Sequence, residues 1–163
     1  MNVEIVDRLI ENDPSLESSR SALEAMKEGA FCIHRAWGVG RISGYESDRG
    51  MLLIDFEEGE RKSHAMDPVF CLDKLEILAD DHIICLHRSN TEEIDKKVKK
   101  EPVELFVEIL SKFEDGCATT RELERLLNLL LGPAKGKKWW TATKKLLIKD
   151  PRVAVPNKKT EPY

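Results

Sequence analysis

Two glycines stand two residues apart in the segment Trp37-Gly38-Val39-Gly40-Arg41-Ile42. They sit where one β-prone run, residues 30–34, gives way to the next, residues 38–45. Glycine at such positions lets the backbone turn sharply and pack where a Cβ would collide, so Gly38 and Gly40 are read as structural glycines. Three more short runs follow, at 51–56, 61–66 and 75–78. Asp48-Arg49-Gly50 makes a turn, Glu57-Glu58-Gly59-Glu60 a hairpin tip, and Asp67-Pro68 opens a single helical turn. Five short strands in about fifty residues cannot build an extended sandwich. A small barrel over residues 29–79, closed or nearly so, is the economical fold because closure removes exposed edges.

Helical patterns flank this segment. Val3, Val6, Leu9 and Ile10 recur at helical spacing, and Asn12-Asp13-Pro14 stops that helix. A second starts at Ser15, carries Leu16, Ala22, Leu23 and Met26, and has Gly29 as its expected cap, so residues 1–28 read as a helical pair. Residues 80–163 read as a helical domain. Its first stretch, 81–88, fits either a short helix or a continuing strand. A charged helix over 91–100 follows, then one opened by Pro102 with Val103, Phe106, Val107, Leu110 and Phe113. Thr119-Thr120-Arg121-Glu122 is a capping box ahead of Leu123, Leu126, Leu127 and Leu130. Gly132-Pro133 breaks that helix, residues 137–149 form another, and 151–156 read as a strand bounded by prolines. Helices followed by a strand give the outline of a winged helix. The fold class is therefore α+β: N-terminal helices, a Tudor/SH3-like barrel and a C-terminal helical, winged-helix-like domain.

Composition narrows the function. Apolar residues make up 41% and charged residues 34%, as in a folded globular chain. No apolar run approaches the ~18 residues of a membrane span, and Met-Asn-Val-Glu-Ile-Val-Asp has no secretory pattern. Four scattered cysteines without a CxxC suit a reducing compartment, and the expected location is the cytoplasm. The net charge of −4 conceals an asymmetry: residues 135–163 hold nine Lys/Arg against two acids, so residues 1–134 carry −11. An acidic body with a basic end implies two surfaces with different partners.

No nucleophile elbow, phosphate-binding loop or HExxH helix is present, and Asp80-Asp81 and Glu57-Glu58 read as solvated turns. The expectation is a protein that is not an enzyme, with no catalytic residue, cofactor, small-molecule substrate or membrane partner. Cys32-x-His34 and Cys85-x-His87 are two pairs that could share a zinc ion. Their spacing matches no standard finger or ribbon, and buried thiols beside unrelated histidines are the simpler reading. Lys137, Lys138, Lys144, Lys145 and Lys149 beside Trp139 and Trp140, with Arg152 on a following wing, are candidates to track a phosphate backbone. The alternative is an amphipathic helix with core tryptophans and solvated lysines.

The run His34…Trp37-Gly38-Val39-Gly40-Arg41-Ile42, the strand at 52–56, an acidic Gly turn and a final Leu75-Glu76-Ile77-Leu78 resemble the polymerase-interacting domain of CarD and of the transcription-repair coupling factor. That family has a Tudor-like barrel that binds a lobe of the RNA polymerase β subunit. Arg35-Ala36-Trp37 departs from the Pro/His stretch usual in CarD. A second stretch, Trp139-Trp140…Lys144-Lys145…Lys149-Asp150-Pro151-Arg152-Val153…Pro156…Lys159-Thr160-Glu161-Pro162, is similar to the long N-terminal extensions of some bacterial GreA-like elongation factors.

The resemblance implies a module that docks on bacterial RNA polymerase through Arg35, Trp37, Arg41 and Tyr45, laying a strand edge against the partner. Trp37 either meets that partner or plugs the barrel. DNA is a further expected contact, through the basic C-terminal segment. Transcript cleavage is not expected, because Pro102, Gly116 and Gly132-Pro133 interrupt any long coiled coil of the Gre kind. The chain reads as the N-terminal region of a longer factor or as a stand-alone relative. The competing classes are a Tudor-like binding module outside transcription and a DNA-binding protein whose barrel is only structural.

Overall fold

The structure, a computed structural model, describes residues 1–59, 61–158 and 160–163, and of Glu114 the backbone. Glu60, the end of the expected hairpin tip, and Lys159 of the basic segment lie outside the described residues. The chain divides into two compact units, Met1–Asp80 and Asp81–Tyr163.

The first unit begins with α1 (Val3–Asn12), whose first turn is capped by the Asn2 side chain accepting from the Glu4 amide. Asp13 ends α1 and caps a 3₁₀ turn, Pro14–Ser19, which runs into α2 (Arg20–Ala25). The second helix expected from Ser15 is thus split, because Pro14 and the Asp13 cap favour a tight 3₁₀ start. Gly29 does not cap it either. With φ +86°, Gly29 sits past α2 and donates its amide to the Ile42 carbonyl, at the start of the sheet.

Five antiparallel-paired strands follow: β1 (Phe31–His34), β2 (Gly38–Glu46), β3 (Met51–Phe56), β4 (His64–Met66) and β5 (Leu75–Ile77). Their order is β4-β3-β2-β1-β5, so among the described residues β4 and β5 are free edges and the sheet is open. The expected closed barrel is not formed. Its edge strands are three residues each, and α3 (Pro68–Lys74) links them instead of a closing ladder. The apolar face that closure would bury is covered by helices: Val6, Leu16, Leu23 and Met26 share one core with Cys32, Ile42, Leu52, Ile54, Phe56 and Cys71. Gly40 lets the Phe56 and Ile54 side chains of β3 lie close against the backbone of β2. A Cβ there would lie 2.8 Å from the Phe56 ring and 3.0 Å from the Ile54 side chain. Gly38 has φ +69°, the left-handed conformation that ends the β1–β2 turn.

The second unit is helical: α4 (Ile83–Ser89), α5 (Thr91–Lys100), α6 (Pro102–Leu110), a short 3₁₀ turn, α7 (Thr120–Leu131) and α8 (Pro133–Leu147). The Thr119–Glu122 capping box forms with both of its hydrogen bonds. Pro133 opens α8 rather than merely ending α7, so α8 starts four residues before the expected 137. The expected strand at 151–156 is absent: those residues form turns and irregular chain, and no wing is built from them. Arg152 explains this locally. Its backbone amide and its guanidinium both donate to Asp150, which holds the segment in a turn. The chain instead returns beside Ala118, where the Tyr163 amide donates to the Ala118 carbonyl at 2.9 Å.

Candidate functional site

Of the four residues expected to form a contact surface in the first unit, Arg35 and Arg41 are exposed and Trp37 and Tyr45 half-buried. Arg35 is exposed in the β1–β2 turn. Trp37 is half-buried: it stacks on His34 (centroids 4.2 Å apart), meets Phe56 and His64 edge-on at 5.3 and 4.7 Å, and carries the Arg61 guanidinium 5.2 Å from its ring centre. Burial, then the neighbouring His64 and Lys74, holds the His34 imidazole below its ordinary pKa. Arg41 is exposed, lies 5.6 Å over the Phe31 ring, pairs across the strands with Asp55 and donates from Nε to the Gly29 carbonyl.

Tyr45 belongs to the core-facing side. In a regular strand, Arg41, Ser43 and Tyr45 would point the same way. A bulge between Ile42 and Gly44 shifts the phase by one residue, so Tyr45 pairs with buried Leu52 and packs against the core. Two arginines therefore remain outward, and two aromatic rings are engaged in packing. Arg41 also borders an open polar groove with Glu28, Ser43 and Asp55.

In the second unit, α7 and α8 meet at Gly132 alone, which has φ +81°. The helices then cross closely: a Cβ on Gly136 would lie 2.8 Å from the Leu127 carbonyl oxygen. Gly136 was missed in the sequence, although a glycine inside a lysine-rich helix is its signal. Gly136, Trp139, Trp140, Thr143 and Leu147 form the buried stripe of α8. Trp139 Nε1 donates to the Val98 carbonyl at 2.9 Å. Trp140 stacks on Phe106 at 5.5 Å and meets Tyr163 edge-on at 5.2 Å. Both tryptophans are core, with 9% and 2% exposure.

The opposite side of α8 is basic. Lys137, Lys138 and Lys145 border a shallow groove floored by Ala134, Thr141 and Ala142. Lys135 and Lys149 are also exposed, while the Lys144 ammonium lies 4.8 Å from the Trp140 ring centre. Among the described residues, none of these six lysines forms an ion pair. Three cations elsewhere in the chain show the contrast. Lys97 reaches Glu108 at 2.7 Å, Lys112 reaches Asp81 at 2.6 Å, and Arg20 reaches Asp7 at 2.6 Å.

Arg152, a member of the expected phosphate-contacting set, is ion-paired as well. It bridges Asp150 (2.9 Å) and Glu104 (2.6 Å), a bidentate clamp across 48 residues of chain. The guanidinium holds the Asp150 carboxyl down at about 2 and lowers Glu104 as well. No local pattern announces a partner so far away in sequence.

Among the described residues, no group of three or more His, Cys, Asp and Glu could hold a metal ion. Cys32 and His34 lie in the first unit, and Cys85 and His87 in the second. Burial pushes the Cys32 and Cys71 thiols up to about 12, far from a reactive thiolate. No described helix is long and apolar enough to cross a membrane.

Comparison with known proteins adds three findings. Residues 84–163 match the GRAD helix-turn-helix domain, and α7 and α8 fall within them. The chain is similar to a GreA-associated domains protein of Treponema pallidum (strain Nichols), 31% identical over 121 residues that make up 74% of this chain and 18% of that protein. It is also similar to two proteins named transcription elongation factor GreA. The one from Chlamydia pneumoniae is 29% identical over 140 residues, 85% of this chain and 19% of that protein. The one from Chlamydia trachomatis serovar D is 28% identical over 141 residues, again 85% and 19%. The chain thus spans about a fifth of the length of the curated relatives it matches. No solved structure matches the chain.

Proposed function

We propose that this chain is a non-enzymatic, cytoplasmic, transcription-associated region of a GreA-like elongation factor. Its first unit docks on bacterial RNA polymerase, with the β subunit as the target, and its second unit holds nucleic acid through α8. One observation carries the reading. The aligned stretches of 121 to 141 residues exceed the length of either unit, so the likeness to GreA-named proteins extends over parts of both. The helix-turn-helix match over the second unit and the unpaired lysines of α8 support the nucleic-acid half.

On the first unit, the five-stranded sheet is read as a Tudor-like sheet left open. Its edges, three residues each, offer little main-chain pairing, so side chains must carry much of the contact. Arg35 and Arg41 are the outward members of the expected set, and arginine is favoured at protein interfaces. Transcript cleavage then belongs to other parts of the longer protein.

The test is binding of the intact chain to purified bacterial RNA polymerase, with Arg35→Glu/Arg41→Glu as the variant. At least a tenfold loss of affinity in the double variant is expected. Polymerase binding equal to that of the parent chain would overturn the docking surface.

A further inference from the structure

We infer that the outward face of α8 grips duplex DNA by backbone charge alone and reads no base sequence. This rests on the nucleic-acid half of the function proposed above and narrows it to a substrate class.

Four observations point the same way. First, the charge is of one sign: no acidic residue lies between Pro133 and Lys149, and the six lysines of that stretch have no ion-pair partner among the described residues. Second, the face lacks the planar forks that fix a base register: α8 contains no Arg, Asn or Gln, and lysine is its single cationic residue type. Lysine is a flexible point charge that follows phosphates without fixing a register. Third, the groove floor of Ala134, Thr141 and Ala142 is low, so a sugar-phosphate strand can settle between Lys137, Lys138 and Lys145. Fourth, the aromatic rings face inward. Single-stranded nucleic acid is held by bases stacked on exposed aromatics, whereas Trp139 and Trp140 are 9% and 2% exposed and locked against Val98 and Phe106. A duplex, whose bases are already stacked, loses nothing on such a face.

An acidic protein partner fits less well. Protein interfaces are depleted in lysine and anchored by arginine and aromatic side chains, neither of which this face offers. The helix is about 22 Å long at ~1.5 Å per residue, and duplex DNA carries one charge per ~1.7 Å of axis. Three groove lysines can therefore each meet a phosphate. Neutralising three phosphates gives a slope of about −3 in log affinity against log salt.

The experiment uses the full chain with fluorescent probes: two duplexes of about 20 base pairs with scrambled sequences, one single strand of the same length, and a polyglutamate peptide. The two duplexes are expected to bind within threefold of each other, with the slope above and more tightly than the single strand. Lys137→Glu/Lys138→Glu/Lys145→Glu should lower duplex affinity at least tenfold. The same three positions changed to Ala repeat the test with a smaller loss should charge reversal disturb folding, which circular dichroism reads. A preference above tenfold for one duplex, or tighter binding of the single strand, would overturn this inference while leaving nucleic-acid binding in place. Polyglutamate bound as tightly as duplex would assign the face to acidic proteins and overturn it. No binding to any nucleic acid at low salt would remove the parent reading itself.

Discussion

The two units solve the same problem, burying an apolar core with few residues, in opposite ways. The first carries nine Lys/Arg against 17 Asp/Glu and is shaped by a backbone contact, the approach of Gly40 to Phe56. The second carries 17 Lys/Arg against 13 Asp/Glu and is shaped by side chains, the Phe106–Trp140–Tyr163 cluster. Their outward charges differ too. In the first unit Arg20 is tied to Asp7 and Glu17, and Arg49 to Glu46. In the second, Glu104 and Asp150 are clamped by Arg152, while the lysines of α8 have no ion-pair partner among the described residues.

The contrast can be broken at several points. The largest effect is expected from Trp140→Ala, which removes a large ring from between Phe106 and Tyr163. The loss is about 4 kcal/mol, read as lost hydrogen-exchange protection in α7 and α8. A loss below ~1 kcal/mol would mean that the cluster does not hold the unit together. Next comes Gly40→Ala, whose new methyl meets Phe56 at 2.8 Å and should cost about 2 kcal/mol. Gly44→Ala is the control, since nothing lies within 4 Å of its Cβ, and it should stay within about 0.5 kcal/mol. Equal effects at the two glycines would refute the claim that close approach, not chain flexibility, shapes the sheet. Thr119→Ala removes the capping-box hydroxyl and should weaken the second unit by about 1 kcal/mol in thermal or urea unfolding.

The smallest effect separates the units by pH. Burial lowers the His34 pKa, so the folded first unit favours the neutral ring. Its contribution is complete above about pH 6.5 and is lost as the pH falls through the lowered value. In the second unit Asp150 is held at about 2 against an ordinary 3.8, so its contribution persists to lower pH and fades between those values. Amide signals of β1–β3 should therefore respond to acid before those around Asp150. His34→Gln should remove the early step, and its persistence in that variant would refute the assignment.

Much of this was legible in the sequence where the signal is local. The five strands, the Thr119 capping box, Pro102 at a first turn and the Gly132-Pro133 break each depend on neighbours within a few residues. What was not legible depends on distant partners. The phase shift that turns Tyr45 inward arises from the β3 register, and the capture of Arg152 from Glu104, 48 residues away. The open sheet was hidden for a similar reason: strand count suggested closure, but the core face was already covered by helices from residues 3–25. The lysines of α8 were visible as a charge run, whereas the burial of Trp139 and Trp140 depends on packing against Val98 and Phe106.

Whether each unit serves its own partner is read by a crossed measurement. Affinity for RNA polymerase and for duplex DNA is determined for the parent chain, for Arg35→Glu/Arg41→Glu and for Lys137→Glu/Lys138→Glu/Lys145→Glu. The arginine variant is expected to lose at least tenfold for polymerase and to stay within about threefold for DNA, and the lysine variant to do the reverse. Loss of both affinities in either folded variant would contradict it.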